Sequence, residues 1–149
     1  MKGKFLAAFF LLSSTIFFTN SYAKQTEIAD DNAVLEYRSE GRGSKQEVLI
    51  QKNKIFTKTR DLAIYNQKEA VISQKDWEEL IALLHKIDIK KIPSFKAPTD
   101  ERALDGAQYA YFKVIYQNKT YETKDFDNGH PPLEIEELIK KITSLESHN

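Results

Sequence analysis

The residues best suited to chemistry lie in one short segment, 125–132, with the sequence Asp-Phe-Asp-Asn-Gly-His-Pro-Pro. His130 could act there as a general base and Asp127 could orient it, as in a small hydrolase. The sequence has no G-x-S-x-G motif, and no S-x-x-K motif lies near this segment. We therefore predict that the protein is not an enzyme, with a small hydrolase centred on His130 as the alternative.

Calcium binding by the same segment is a second hypothesis. Asp125, Asp127 and Glu136 match the first, third and twelfth positions of an EF-hand loop. Gly129 and His130, however, stand where that motif needs an oxygen ligand and a glycine.

The chain also has no Cys, which excludes a thiolate zinc site, disulfides and a cysteine nucleophile. We predict neither a metal nor a cofactor.

The 126–132 segment is better interpreted as an architectural corner. We expect Phe126 to lie in the core, and Asp127 or Asn128 to accept hydrogen bonds from nearby amides. Gly129 is expected at positive φ. The two prolines that follow, Pro131 and Pro132, suit the first turn of a helix.

A long segment without periodicity, residues 91–107, precedes an aromatic strand. Charged residues in such a loop usually only face solvent. The alternative is a recognition loop with Arg102 as its anchor. In the strand that follows, Tyr109 and Tyr111 alternate with apolar residues and are expected on its outer face. We list the candidate binding residues as Arg102, Asp105, Tyr109, Tyr111, Asp127 and His130.

The N-terminal residues 1–23 have the features of a secretory signal peptide. Lys2 and Lys4 precede a short apolar run, and Ser21 and Ala23 are small residues at the positions that a signal peptidase reads. The apolar run is shorter than a spanning helix, so a single membrane anchor is the weaker interpretation. We predict an exported protein, periplasmic or secreted, without a membrane span after cleavage. A flexible leader, 24–32, would precede a single domain, 33–146.

Several strands, a helix, the long loop, a hairpin and a second helix follow in that order. Ser73 is the expected N-cap of the first helix, with Trp77 opening its apolar stripe. Leu133 is expected to open the stripe of the closing helix. Two short strand pieces before Ser73 are expected to join through residues 66–68. Strands that are not interleaved with helices predict an α+β fold, an antiparallel sheet with two amphipathic helices packed on one face.

Charge and composition narrow the class of partner. Lys and Arg together number 22, as do Asp and Glu. A balanced charge argues against a nucleic-acid binder, so the expected partner is another protein. A highly charged surface and the absence of Cys favour a monomer.

The last third of the chain, with its Phe-Asp-x-Gly-x-Pro-Pro motif at 126–132, resembles small exported bacterial domains of uncharacterised function. The layout as a whole is faintly similar to emfourin-like inhibitors of thermolysin-type metalloproteases. The similarity consists of the glycine turn at 39–43, the helix, the aromatic strand at 109–111 and the closing helix. That resemblance implies a protease inhibitor. We therefore expect an exported non-catalytic binding module. The alternatives are the hydrolase and an envelope structural or lipid-handling protein.

Overall fold

The computed structural model describes residues 30–104 and 107–148, without the side chain of His148. The predicted signal peptide, most of the leader and Asp105 lie outside the described residues. In the described part, seven strands form one antiparallel sheet. They are β1 (Val34–Gly41), β2 (Ser44–Gln51), β3 (Lys54–Asp61), β4 (Ile64–Val71), β5 (Tyr109–Tyr116), β6 (Lys119–Glu122) and β7 (Phe126–Asp127). Their order is β4-β3-β2-β1-β5-β6, with β7 also paired to β5.

Among the described residues, two α-helices of more than two turns, α1 (Gln74–His85) and α2 (Glu136–His148), complete the α+β fold. They contact each other through Lys141 of α2, whose ammonium lies 2.7 Å from the carboxylate of Asp76 and 2.5 Å from that of Glu79. Shorter 3-10 helices lie at Ile89–Ser94, Glu101–Ala103 and Leu133–Ile135. The predicted fold class is confirmed.

The core lies between the two α-helices and one face of the sheet. On β5, the alternating residues Ala110, Phe112 and Val114 are fully buried, as the strand period requires. The apolar stripe of α1 packs against the same core and is as predicted, with its buried members being Trp77, Leu80, Ile81 and Leu84. The helix begins where expected, because the Ser73 hydroxyl accepts a hydrogen bond from the Asp76 amide at 3.1 Å.

The strand before α1 differs from its prediction. β4 is one continuous strand over Ile64–Val71, rather than two pieces joined at 66–68. Every residue of β4 pairs with β3, and this pairing outweighs the weak strand preference of the polar residues at its centre. The turn instead falls at Leu62, which has a φ of 52° and donates its amide to the Gly43 carbonyl at 2.7 Å.

Two further expectations change near the closing helix. Leu133 does not open its apolar stripe, because it is 76% exposed while Ile135 is buried. The two belong to a 3-10 turn, in which residues two apart lie on different sides. The 91–107 segment contains regular structure that the sequence did not predict, since the 3-10 helix at Ile89–Ser94 overlaps its start and the 3-10 helix at Glu101–Ala103 lies within it.

The last residues of the predicted leader contact the domain. One oxygen of the Asp30 carboxylate lies 2.9 Å from the Tyr116 hydroxyl and 2.8 Å from His85 Nε2. Burial and then the Asp30 hydrogen bond raise the pKa of Tyr116 to about 12. Within residues 30–104 and 107–148, none of the helices combines the length and the apolar character that crossing a membrane requires.

Candidate functional site

The sheet face opposite the two α-helices carries rows of charged and aromatic side chains. We call it the outward face. Residues paired across antiparallel strands project on the same side, so the register defines each row. The central row runs Tyr111, Arg38, Glu47, Lys58 across β5, β1, β2 and β3. Neighbouring charges in this row alternate in sign and therefore attract each other.

A buried carboxylate anchors these charges. Glu36 on β1 is only 5% exposed, and Lys113 from β5 forms an ion pair with it. Arg38 lies 3.3 Å from the same carboxylate and 2.8 Å from that of Glu47. A carboxylate buried this far from water is stabilised only when cations lie beside it, as Lys113 and Arg38 do here. The two cations are thereby held in place on the outward face.

Arg38 also stacks on an aromatic ring. Its guanidinium carbon lies 5.4 Å from the centroid of the Tyr111 ring, within the range of a cation–π contact. Burial raises the pKa of Tyr111, although the positive charge of Arg38 opposes that effect. The Tyr111 hydroxyl is therefore protonated at neutral pH and available as a hydrogen-bond donor.

One margin of the outward face is formed by residues 99–104, which we call the 99–104 loop. Asp127 on β7, opposite Tyr109 of β5, binds this loop. Its carboxylate accepts hydrogen bonds from the Thr99 hydroxyl at 2.5 Å, the Glu101 amide at 2.7 Å and the Arg102 amide at 2.6 Å. The two amides begin the 3-10 helix at Glu101–Ala103, so Asp127 caps a helix that is distant in sequence.

The electrostatics of Asp127 follow from this geometry. Burial of the carboxylate opposes its ionisation and would raise its pKa. The hydrogen bonds from Thr99, Arg102 and Glu101 outweigh burial and lower the pKa of Asp127 to about 2. The Arg102 side chain adds a cation 3.4 Å away and also donates to the Thr99 carbonyl at 2.8 Å. At neutral pH the Asp127 carboxylate is therefore ionised, and it holds the 99–104 loop through these hydrogen bonds.

The 126–132 corner has most of the predicted construction. Pro131 and Pro132, however, precede the 3-10 helix at Leu133–Ile135, with Pro132 as its N-cap, and do not lie in the first turn of a helix. Phe126 is fully buried, Asp127 accepts from two amides, and Gly129 has a φ of +87°. Asn128 accepts a hydrogen bond from the Tyr37 hydroxyl at 2.7 Å and donates one to the Gln108 side chain at 2.8 Å. The backbone and the amide side chain, rather than His130, hold this corner together.

The structure brings four of the candidate binding residues to one place. Tyr109 and Tyr111 lie on the outward face, and Asp127 and Arg102 form its margin. His130 is exposed beyond the corner, linked by its amide to the Asp127 carbonyl at 2.8 Å. Asp105, the sixth, lies outside the described residues.

Sequence reasoning missed the charged residues that organise the outward face. Glu36, Arg38 and Glu47 stand at alternate positions of two amphipathic strands, and Lys113 stands likewise on β5. That alternation could have indicated a charged row. The sequence could not have shown that Glu36 is buried, because its burial results from neighbours on two other strands.

In the described ranges, no group of three His, Cys, Asp or Glu side chains is arranged to hold a metal ion. In comparisons with known proteins, the chain matches neither a family model nor a curated protein. The site is therefore interpreted from its own geometry.

Proposed function

We propose that the protein is an exported, non-catalytic module that binds another protein through the outward face. The observation that carries this proposal is the Arg38–Tyr111 stack, with Arg38 fixed between two glutamates. Arg and Tyr are the residue types that most often dominate protein interfaces. Here their side chains are already ordered, so binding costs little further side-chain entropy.

The neighbouring residues extend this surface. Tyr109 lies beside Tyr111 on β5, and Phe56 lies on β3 with the Lys54 ammonium 5.8 Å from its ring centroid. A shallow open depression of about 230 Å³ is lined partly by Leu49 and Phe56. An aromatic surface edged by charges suits a folded protein partner better than a small molecule, which needs a deeper pocket.

The alternatives have less support from the geometry. In a hydrolase centred on His130, Asp127 would have to orient the imidazole, but its carboxylate is occupied by Thr99 and two loop amides. A lipid-handling protein needs an apolar cavity, whereas the depression beside Phe56 is open and has Glu47 and Lys58 in its lining. A binding role is therefore the better proposal.

The resemblance to emfourin-like inhibitors makes a thermolysin-type metalloprotease the first partner to test. We propose inhibition of such a protease as the specific activity. The assay measures peptide hydrolysis by thermolysin as the protein is added. We expect inhibition that the double variant Tyr109→Ala/Tyr111→Ala weakens about thirtyfold or more, as for interface hot spots. Leu133→Ala, which truncates an exposed side chain outside the sheet, is the matched control.

Two outcomes distinguish the proposal of a protein-binding module from the more specific proposal of a protease inhibitor. If thermolysin is unaffected but the protein captures a partner from the exported proteins of its host through the same tyrosines, the inhibitor proposal is wrong and the binding module stands. If capture is also insensitive to both tyrosines, the outward face is not the binding site. Export itself is tested by mass spectrometry, which should show an N-terminus at Lys24.

A further inference from the structure

The β4 strand leaves one long edge of the sheet unpaired in the described part of the chain. Its residues pair with β3 on one side only, and all except Ala70 are exposed. The edge has no proline and no bulge, and its two charged residues, Lys68 and Glu69, are opposite in sign. At the opposite side of the sheet, β6 is short, only Lys119–Glu122, and the 3-10 helix at Ile89–Ser94 lies against it. Only the β4 edge therefore presents a long, uncovered strand among the described residues.

The direction of the free backbone groups follows from the hairpin. The Ile72 amide donates to the Asn53 carbonyl at 3.2 Å, just beyond the β3–β4 ladder. Hydrogen-bonded pairs alternate along an antiparallel ladder, so the even-numbered residues of β4 bond to β3. The amide and carbonyl groups of Tyr65, Gln67 and Glu69 therefore point away from β3, in line, and no other strand of residues 30–104 and 107–148 pairs with them.

We propose that a second copy of this chain pairs with this edge, β4 antiparallel to β4, with Gln67 at the two-fold axis. A two-fold axis perpendicular to the sheet places residues of the same parity opposite each other. Gln67 then faces Gln67 of the second copy, and Tyr65 faces its Glu69. The backbone amide and carbonyl groups of Tyr65, Gln67 and Glu69 in each copy then point toward the β4 strand of the other copy. Together they form about six hydrogen bonds between the two strands, along the line that we call the seam.

The side chains that face each other favour this register, and they favour a second copy of the chain as the partner. On the helix side of the seam, Ile64 faces Ala70 of the second copy and Asn66 faces its Lys68, so like charges do not meet. Two neighbouring registers have the same symmetry. The one centred on Lys68 places two ammonium groups directly opposite each other, at a close non-hydrogen-bonded pair. The one centred on Asn66 pairs only residues 64–68 of β4, whereas the Gln67 register pairs residues 64–70. The β4 sequence is thus complementary to itself about Gln67.

The dimer joins two sheets into one. Since the axis is perpendicular to the sheet, both outward faces lie on the same side. A single strand pair buries less than the roughly 800 Å² per partner of a standard interface, so we expect association in the micromolar range. This proposal differs from the monomer expected from the sequence, and the experiments below decide between them. It does not depend on the function proposed above.

Cross-linking tests the register directly, because the chain has no cysteine of its own. Gln67→Cys, expressed from the full chain and purified in the form that cells release, should oxidise to a disulfide-linked dimer. Opposed residues in such a pair have Cα atoms about 5.5 Å apart, which a disulfide can span. Thr120→Cys, exposed on β6, is the matched control and should remain monomeric. Faster cross-linking of Lys68→Cys than of Gln67→Cys would overturn the register.

Sedimentation tests the association itself. The unmodified protein should pass from monomer to dimer between micromolar and submillimolar concentration. Gln67→Pro removes two of the seam's hydrogen bonds, leaves the β3–β4 bonds in place and should raise the dissociation constant about tenfold or more. A monomer at every concentration, or a dimer unaffected by Gln67→Pro while its circular dichroism is unchanged, would overturn the proposal. Pairing of β4 with a different protein in place of a second copy would do so too.

Discussion

The carboxylate of Asp127 accepts a hydrogen bond from the main-chain amide of Arg102 at 2.6 Å, across 25 positions of sequence. This contact connects the corner before α2 to the loop before β5. It also explains why an acidic residue is buried at the end of a short strand. Asp127 serves as a distant N-cap and fixes the margin of the outward face.

Removing this carboxylate should release the 99–104 loop. We expect Asp127→Ala to lower the melting temperature and to expose the loop to proteolysis near Arg102, since two amides and a hydroxyl lose their acceptor. Limited trypsin digestion followed by mass spectrometry measures this. Lys124→Ala, a nearby exposed change, is the control. Equal cleavage of the Asp127→Ala variant and the unmodified protein would contradict the loop-anchoring role.

Asp127 should also make stability depend on acidity. Its folded pKa of about 2 lies below the ordinary value of about 3.9 for an unfolded Asp. The group therefore stabilises the folded state fully above about pH 4, and this contribution is lost as the pH falls from there toward 2. Urea unfolding at a series of pH values should show this loss. In Asp127→Asn the decline should be shallower, and an unchanged slope would contradict the assignment.

Gly129 is expected to tolerate substitution poorly for a purely conformational reason. Its φ is +87°, and an added Cβ would meet nothing within 4 Å. Gly129→Val should therefore cost about 1–2 kcal/mol of unfolding free energy through backbone strain alone. Gly129→Asn should cost less, because Asn adopts this region more readily. His130→Ala should change stability by about 0.5 kcal/mol at most. A larger effect at His130 than at Gly129 would contradict the corner.

The Glu36–Lys113 pair should show strong coupling. Lys113→Met leaves a buried carboxylate short of one cation and should destabilise the domain by about 1–3 kcal/mol. Adding Glu36→Leu should restore much of that loss, because the uncompensated charge is gone. A double-mutant cycle from chemical denaturation measures the interaction. Additive effects of the two changes would show that the pair is not coupled.

The sequence predicts some elements of this fold much better than others. Strong local signals, such as the Ser73 cap and the alternation in β5, predict α1 and β5 closely. β4 was predicted incompletely because its centre is polar and its continuity depends on pairing with β3. For the candidate site, Tyr109 and Tyr111 follow from alternation. The meeting of Asp127 with Arg102 does not, because it depends on tertiary contacts between distant segments.

The central position of β1 has a consequence for the kinetics of folding. Its pairing with β2 closes a two-residue turn, whereas its pairing with β5 joins Val34 to Ile115 and Glu40 to Tyr109. Closing so long a loop is entropically costly before any contact compensates for it, and contacts distant in sequence slow folding. The β1–β4 meander can therefore form at the rate of local hairpins. Docking of β5 onto β1 is the step expected to set the overall folding rate.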